Sequence, residues 1–210
     1  IDRVGRKPLL VFGVAGIAAC MMMLAWGFGA ATYSVSPDTI ASLPEAVNRF
    51  QLEPLLGTTY MDDISFRSAA IESMGIDDFR ALESQIISAA IDINATLILG
   101  GILGFVACFA VSIGPVMWVL FSELFPNRIR GIAISFVGLV NSGVSFLVQL
   151  LFPWQLANIG NAATFFLYGL FALIGLVLIV KLLPETRKKS LGELEAMLVR
   201  NSAGRTNPDA

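Results

Sequence analysis

The sequence contains no histidine among its 210 residues and only two cysteines. The absence of histidine excludes an imidazole ligand, general base or proton relay within these residues. Cys20 and Cys108 lie in apolar runs, where free cysteine usually packs as a small hydrophobe, so no disulfide framework is predicted. Charge is also scarce, at 14% of residues, against about 25% in an ordinary soluble domain. These absences argue against a soluble globular domain.

The few charges are unevenly distributed, and three long stretches contain none: residues 8–31, 93–122 and 131–180. A helix needs about 20 apolar residues to cross roughly 30 Å of hydrocarbon. The third stretch is long enough for two crossings, and it has a polar, turn-like interruption at residues 153–161. We therefore predict an all-α integral membrane protein. Its four spans are expected at about residues 8–31, 94–122, 131–152 and 162–183.

The basic residues indicate how these spans are oriented. Eleven of the 14 lysines and arginines lie before the first span, between the second and third, or after the fourth. The polar segment at residues 32–90 has three arginines against nine acids. Because basic residues favour the cytoplasm, we expect both ends of the chain inside, with a cytoplasmic tail at 184–210, and segment 32–90 outside. A net charge of −2 gives no indication of nucleic-acid binding.

Segment 32–90 carries its own helix signals. Ser36-Pro37-Asp38 predicts a helix start and Gly75 a helix end. Apolar residues then recur three to four apart, as in an amphipathic helix that leads into the second span: Ile76, Phe79, Leu82 and Ile86. The acidic pairs at 62–63 and 77–78 lack EF-hand spacing, so we expect them on a solvated surface and predict no metal site.

The second and third spans carry features that suit a polar cavity. Gly114-Pro115 removes a backbone donor within the second span, and such breaks in transporter helices often lie beside binding sites. Gly100 and Gly104 have the spacing of a close helix–helix contact. Polar residues recur every four positions in the third span, as on a face toward a watery cavity: Asn141, Ser145 and Gln149, bordered by Ser142. For Gln149, an interhelical hydrogen bond is the alternative.

Three short motifs combine acids and arginines at the ends of spans: residues 2–7, 122–131 and 183–191. Ion pairs at these interfaces could form in one conformation and break in another. An exposed pair contributes only about 0–1 kcal/mol, but several together can bias a two-state equilibrium by a few kcal/mol. We predict a conformational gate, and positive-inside anchoring with helix capping is the alternative.

The three motifs together resemble those of the sugar porters of the major facilitator superfamily. The run D-R-x-G-R-K resembles the family's loop between helices eight and nine, and residues 114–131 resemble helix ten with its following loop. Residues 184–195 resemble the tail signature P-E-T-x-x-x-S/T-L-E-E-L-E. The resemblance excludes segment 32–90, where family members have a short loop. It implies a major facilitator fold in which the four spans are the last four of twelve helices, with the preceding eight missing.

The resemblance also implies roles for individual residues. With the polar stripe, it indicates a sugar-binding set: Phe109, Gly114, Trp118, Asn141, Ser142 and Gln149. Amides both donate and accept hydrogen bonds, and aromatic rings suit apolar C–H faces. The gate set is Asp2, Arg3, Gly5, Arg6, Lys7, Glu123, Arg128, Arg130 and Glu185. Ser142 stands where the family has a second tryptophan, which weakens the expectation of a glucose- or xylose-like substrate.

The function implied is transport of a monosaccharide or related polyol across the cytoplasmic membrane by alternating access, with proton symport as the expected mode. No nucleophile–base arrangement is present, so no enzyme activity and no cofactor are expected. The expected partners are sugar, protons and the lipid bilayer, without nucleic acid. Transport of a cyclitol or organic acid, and sugar sensing, are the alternatives. Segment 32–90 is expected to be dispensable, with a lid or docking role as the alternative.

Overall fold

The computed structural model describes residues 6–43, 49–125 and 128–182. Within them, four helical stretches are long and apolar enough to span a membrane. They are α1 (Arg6–Gly29), the consecutive helices α5 (Ala95–Val111) and α6 (Ile113–Leu124), α7 (Arg130–Asn158) and α8 (Asn161–Leu182). This confirms the helical membrane class and the predicted number of spans.

A small folded region connects α1 to α5, and we call residues 31–92 the connecting domain. Its elements are β1 (Thr32–Ser34), α2 (Pro37–Ser42), a 3₁₀ helix (Arg49–Leu55), β2 (Thr59–Tyr60), α3 (Asp63–Met74), α4 (Ile76–Ala90) and β3 (Ile91–Asp92). The strands form an antiparallel sheet in the order β2-β1-β3, with Tyr33 opposite both Tyr60 and Ile91. The sheet was not predicted, because strands of two or three residues are too short to show an alternating pattern.

The helix ends in this domain follow from local chemistry. The Ser36 hydroxyl accepts a hydrogen bond from the Thr39 amide at 3.0 Å, which confirms the predicted start of α2. Asp62 caps α3 by accepting from the Ser65 amide at 2.7 Å, and the hydrogen bonds from Ser65 lower the pKa of the Asp62 carboxyl. Gly75 has a φ of 87° and separates α3 from α4, as predicted.

The connecting domain has a hydrophobic core of its own. The Tyr33 and Phe66 rings stack with their centroids 5.5 Å apart. On the predicted amphipathic face of α4, Phe79 and Ile86 are buried and Leu82 packs against the core, whereas Ile76 is exposed. Because β1 follows α1, β3 precedes α5 and the two strands pair, the two ends of the domain lie side by side. The buried core residues are Ala31, Tyr33, Val35, Leu43, Leu52, Leu55, Phe66, Ala70, Met74, Phe79, Ile86 and Ala90.

The chain divides into two units. The connecting-domain unit comprises residues 19–103 and 150–169. In it, the rings of Phe28 and Phe165 stack 5.2 Å apart, and Gly101 lies so close to α1 that an added Cβ would be 2.7 Å from Leu24. We predicted that Gly100 lies at a close helix contact, but an added Cβ at Gly100 would have no atom within 4 Å.

The α6 unit comprises residues 1–18, 104–149 and 170–210. Leu10 and Val116 are buried at its centre, with flanking contacts from α6 and α8. α1 lies close to the second span in this unit. An added Cβ at Gly13 would collide with the Ser112 side chain, and one at Gly16 would collide with the Cys108 side chain.

Helix α7 is longer than predicted. We expected the span to end at residue 152, but the helix continues through Pro153 to Asn158. Pro153 removes the hydrogen bond to the Gln149 carbonyl and its ring crowds that carbonyl, yet a membrane helix can continue through a proline when neighbouring groups satisfy the backbone. Near the carboxyl end of the helix, the Asn158 side-chain amide donates to the Trp154 carbonyl at 2.8 Å, as a helix-capping contact. The chain turns at Gly160, whose φ is 89° and whose amide donates to the Gln155 carbonyl.

Candidate functional site

The second span is broken where the sequence predicted. α5 ends at Val111, Ser112 separates the helices and α6 begins at Ile113. Pro115 lies four residues after Val111, so its missing N–H leaves the Val111 carbonyl without its helical partner, and its ring crowds that carbonyl. Ser112 is almost completely buried, and its hydroxyl donates to the Cys108 carbonyl at 2.5 Å. The break is therefore a bonded, packed feature of the α6 unit.

Aromatic side chains lie on both sides of this break. Phe109 precedes it on α5 and packs against Phe105, with ring centroids 6.4 Å apart. The structure brings Gly114 against Phe109, because an added Cβ at Gly114 would lie 3.4 Å from the Phe109 carbonyl oxygen and 3.8 Å from its ring. Trp118 follows one turn later on α6 and is 52% exposed. Exposed aromatic surface of this kind suits the apolar face of a sugar.

The predicted polar stripe lies on α7, which has no buried residue. Asn141, Ser142, Ser145 and Gln149 are all exposed. Within the described part of the chain, the side chains of Asn141 and Ser142 make no hydrogen bond, which leaves their donors and acceptors open to a ligand. The Gln149 amide donates to the Ser145 carbonyl at 3.3 Å, a bond within α7 and different from the interhelical bond considered above.

Two of the predicted gate residues bind helix carbonyls in this structure. The Lys7 ammonium donates to the Val180 carbonyl near the end of α8 at 2.8 Å, and Arg130 Nε donates to the Phe125 carbonyl at 3.3 Å. Cations at the carboxyl ends of helices are favourable for both the free carbonyls and the helix dipole. This geometry matches the capping alternative, and the ion-pair gate stays a prediction.

The remaining gate residues are described only in part. Arg128 is exposed. Arg6 and Glu123 lie in α1 and α6, where their backbones but not their side chains are described. Four gate residues lie outside the described residues: Asp2, Arg3, Gly5 and Glu185.

Asp63 has a different environment from the one we predicted. We expected a solvated carboxylate, but Asp63 is 7% exposed and accepts a hydrogen bond from the Asn161 amide at 3.1 Å. The spacing of Asp63 and Arg67, four residues apart on α3, is a signal of a helical ion pair. The contact with Asn161 joins residues 98 positions apart and has no local signal. The described residues contain no group of three or more side chains suited to hold a metal.

Four membrane-length helices, one of them broken between exposed aromatic rings, together with an amide stripe, define this protein as an integral membrane protein with the features of a transporter. The family model "Sugar (and other) transporter" matches residues 80–198, more than half of the chain. The chain belongs to this sugar transporter family, which confirms the family predicted from the three motifs.

Individual relatives agree with this family. The facilitated glucose transporter member 10 of solute carrier family 2 from Mus musculus is 31% identical over 93% of this chain and 40% of its own length. The D-xylose-proton symporter of Escherichia coli K12 is 30% identical over 92% of this chain and 44% of its own length. The chain thus spans less than half the length of these relatives, both of which are named as transporters rather than enzymes.

The fold also matches solved structures. The inward-open structure of the xylose transporter XylE from E. coli superposes with a TM-score of 0.58 and 26% sequence identity, over 93% of this chain and 30% of that chain. With the family match, this similarity confirms the predicted major facilitator fold.

Proposed function

We propose that the whole protein carries a monosaccharide or related polyol across the cytoplasmic membrane by alternating access, coupled to protons. The observation that carries this proposal is the break at Ser112, which lies between Phe109 and Trp118 in a chain of the sugar transporter family. A helix break frees backbone polar groups next to the aromatic surfaces. A sugar needs both kinds of surface, since it presents hydroxyls as well as apolar C–H faces.

The proposed binding set divides into two kinds of contact. Phe109 and Trp118 offer ring surfaces, and Gly114 lets a ligand approach the backbone at the break. Asn141 and Ser142 offer polar groups that are free of protein hydrogen bonds in the described residues. Gln149 is included as a further amide that exchanges its bond with the Ser145 carbonyl for a sugar hydroxyl.

Proton coupling is supported by the relative named as a D-xylose-proton symporter. The other relative is named as a facilitated transporter, so facilitated diffusion is the competing mode. The apolar spans themselves, residues 7–29, 95–119, 130–158 and 161–182, contain no aspartate, glutamate or histidine. In the proposed symport, the proton-carrying acid therefore lies outside these four spans.

The gate proposed for the cytoplasmic side uses the three charged motifs. In it, Glu123 pairs with Arg130 or with the cations around Arg6 when the cavity opens outward. The bonds from Lys7 and Arg130 to helix carbonyls would then be exchanged for bonds to carboxylates during the transport cycle. This placement follows from the family resemblance and from the concentration of basic residues at these ends.

The test is uptake by the full-length protein in proteoliposomes, with a panel of labelled pentoses, hexoses, cyclitols and organic acids. We expect saturable uptake of at least one sugar or polyol, accelerated by an inward proton gradient and accompanied by proton entry. An uptake rate that does not change with the proton gradient would favour facilitated diffusion. Uptake restricted to a cyclitol or an organic acid would replace the sugar assignment, and binding without uptake would favour a sensor.

A further inference from the structure

The amino end of α8 is bound by a side chain of the connecting domain. Asp63 Oδ2 accepts from the amide of Asn161, the first residue of α8, at 3.1 Å. Amides in the first turn of a helix have no partner within the helix, and a carboxylate there also interacts favourably with the helix dipole. The Asp63 side chain also packs against Gly160, where an added Cβ would lie 2.7 Å from its Oδ1. Asp63 thus caps α8 from a distant part of the chain.

A buried carboxylate needs compensation for the loss of water, and Arg67 provides it. Arg67 Nε lies 4.0 Å from Asp63 Oδ2, and the Arg67 guanidinium also pairs with Glu83 of α4. The Arg67 side chain is itself largely buried. The cap therefore belongs to a linked set of charges that joins α3 to α4.

A second polar residue of the connecting domain, Tyr33, is buried near Asp63. Burial, followed by the nearby charge of Asp63, raises the pKa of Tyr33. Tyr33 thus stays protonated around neutral pH and keeps its hydroxyl hydrogen. The Tyr33 hydroxyl therefore adds no second negative charge beside the Asp63 cap.

The connecting domain reaches the α7–α8 turn through Asp63 and, beside it, Ile64, which also lies close to Gly160. Beside these contacts lies a cleft of about 270 Å³, lined by Arg67 and Glu83 of the domain and by Ala157 and Asn158 at the end of α7. Because this open space adjoins the contacts, the hydrogen bond at Asn161 is expected to carry much of the attachment. Replacing Asp63 should therefore release the amino end of α8 without disturbing the core around Phe66.

We infer that Asp63 is a positioning residue, through which the connecting domain fixes the amino end of α8 during transport. This inference rests on the proposed transport function and departs from our expectation that the segment is dispensable. The candidate sugar-contacting residues lie on α5, α6 and α7 in the other unit. Loss of the cap should therefore slow turnover and leave the half-saturation concentration unchanged.

The test compares Asp63→Ala and Asp63→Asn in the full-length protein in proteoliposomes. Hydrogen exchange is followed in a peptide covering residues 159–166, and uptake is normalised to the amount of protein in the membrane. In Asp63→Ala, exchange should rise about tenfold and turnover should fall several-fold. Asparagine keeps an acceptor oxygen, so Asp63→Asn should restore most of both. Glu72→Ala, an exposed acid on the same helix, should behave as wild type.

Each result has a defined meaning. Unchanged exchange in Asp63→Ala overturns the cap, and raised exchange with normal turnover overturns the positioning role. An asparagine variant as impaired as the alanine variant overturns the hydrogen bond as the cause. If Asp63→Ala does not reach the membrane, the double variant Asp63→Ala/Arg67→Met, which leaves no uncompensated buried arginine, is measured in its place. Wild-type exchange and turnover there overturn the proposal. If the wild type transports no sugar but hydrogen exchange still rises in Asp63→Ala, the cap is confirmed and its role in transport is wrong.

Discussion

At the scale of single residues, the lack of a side chain at Gly13 and Gly16 allows α1 to lie close to the second span. The Cβ positions of Gly13 and Gly16 are filled by Ser112 and Cys108, so larger residues at either glycine would force the helices apart. Close packing of this kind is a principal source of helix association in membranes, where there is no hydrophobic force between helices. Cys108 acts here as a small packed group, as its position in an apolar run predicted.

One prediction at this scale concerns the contact between Trp118 and the transported sugar. Trp118→Ala should raise the half-saturation concentration for the transported sugar about fivefold, because an aromatic contact contributes roughly 1 kcal/mol beyond its buried area. The measurement is initial uptake rate against sugar concentration in proteoliposomes. Trp154→Ala is the matched control, since Trp154 is similarly exposed at 57% but lies on α7 outside the proposed binding set. Equal kinetics for the two variants would remove Trp118 from the site.

At the scale of secondary-structure elements, the connection between α7 and α8 depends on Gly160. Its φ of 89° is one that residues with a side chain rarely adopt. An alanine Cβ would in addition lie 2.7 Å from Asp63 and 3.3 Å from Ile64. Two separate physical effects, backbone strain and crowding of the Asp63 cap, therefore act at this position.

A pair of glycine variants separates these two effects. Gly57 has a similar φ of 76° but no atom within 4 Å of an added Cβ, so Gly57→Ala introduces backbone strain alone, about 1–2 kcal/mol. Gly160→Ala should lower the thermal unfolding temperature more than Gly57→Ala does. The additional loss in the free energy of unfolding is the cost of overpacking, about 1–3 kcal/mol. The measurement is thermal unfolding of the purified protein in detergent. Equal decreases in the unfolding temperature of the two variants would show that the Asp63 side chain moves aside without a cost in free energy.

The elements that could be predicted are those whose signal is local. The spans follow from long uncharged runs, and Ser36 and Gly75 mark helix ends because a cap involves only a few neighbouring residues. The helix break was predictable from Pro115 for the same reason. The end of α7 was misjudged because Pro153 costs one hydrogen bond, which the surrounding helix tolerates. The cap of Asp63 on α8 could not be predicted, since nothing near residue 63 records what lies near residue 161.

At the scale of the whole molecule, the sequence proposes residue types for the candidate site but says little about their environment, and the site stays a prediction. Phe109 and Gly114 meet at the break, which agrees with their assignment to one site. The amides of α7 are exposed along a helix with no buried residue, and a single helix face cannot specify what it packs against. Sequence spacing therefore identifies the stripe, while its partner across the cavity depends on long-range packing.

The connecting domain and the charge distribution together lead to a prediction about membrane orientation. Its ten acids and three arginines contrast with the 11 basic residues at the other ends of the spans, and basic residues are retained in the cytoplasm. Since β1 and β3 pair directly after α1 and before α5, the domain emerges on one side as a unit. We therefore expect the connecting domain outside the cell and the α6–α7 connection inside.

Single cysteines in a full-length protein whose native cysteines, Cys20 and Cys108 among them, are replaced by alanine test this orientation. Glu72 on α3 and Arg128 before α7 are both exposed, so Glu72→Cys and Arg128→Cys should be equally reactive once reached. A membrane-impermeant maleimide applied to intact cells should label Glu72→Cys and leave Arg128→Cys unlabelled, and permeabilised membranes should show labelling of both. Labelling of Arg128→Cys in intact cells, with Glu72→Cys protected, would reverse the orientation. The ion-pair gate at residues 122–131 would then face outward, and the Asp63 cap would lie on the cytoplasmic side.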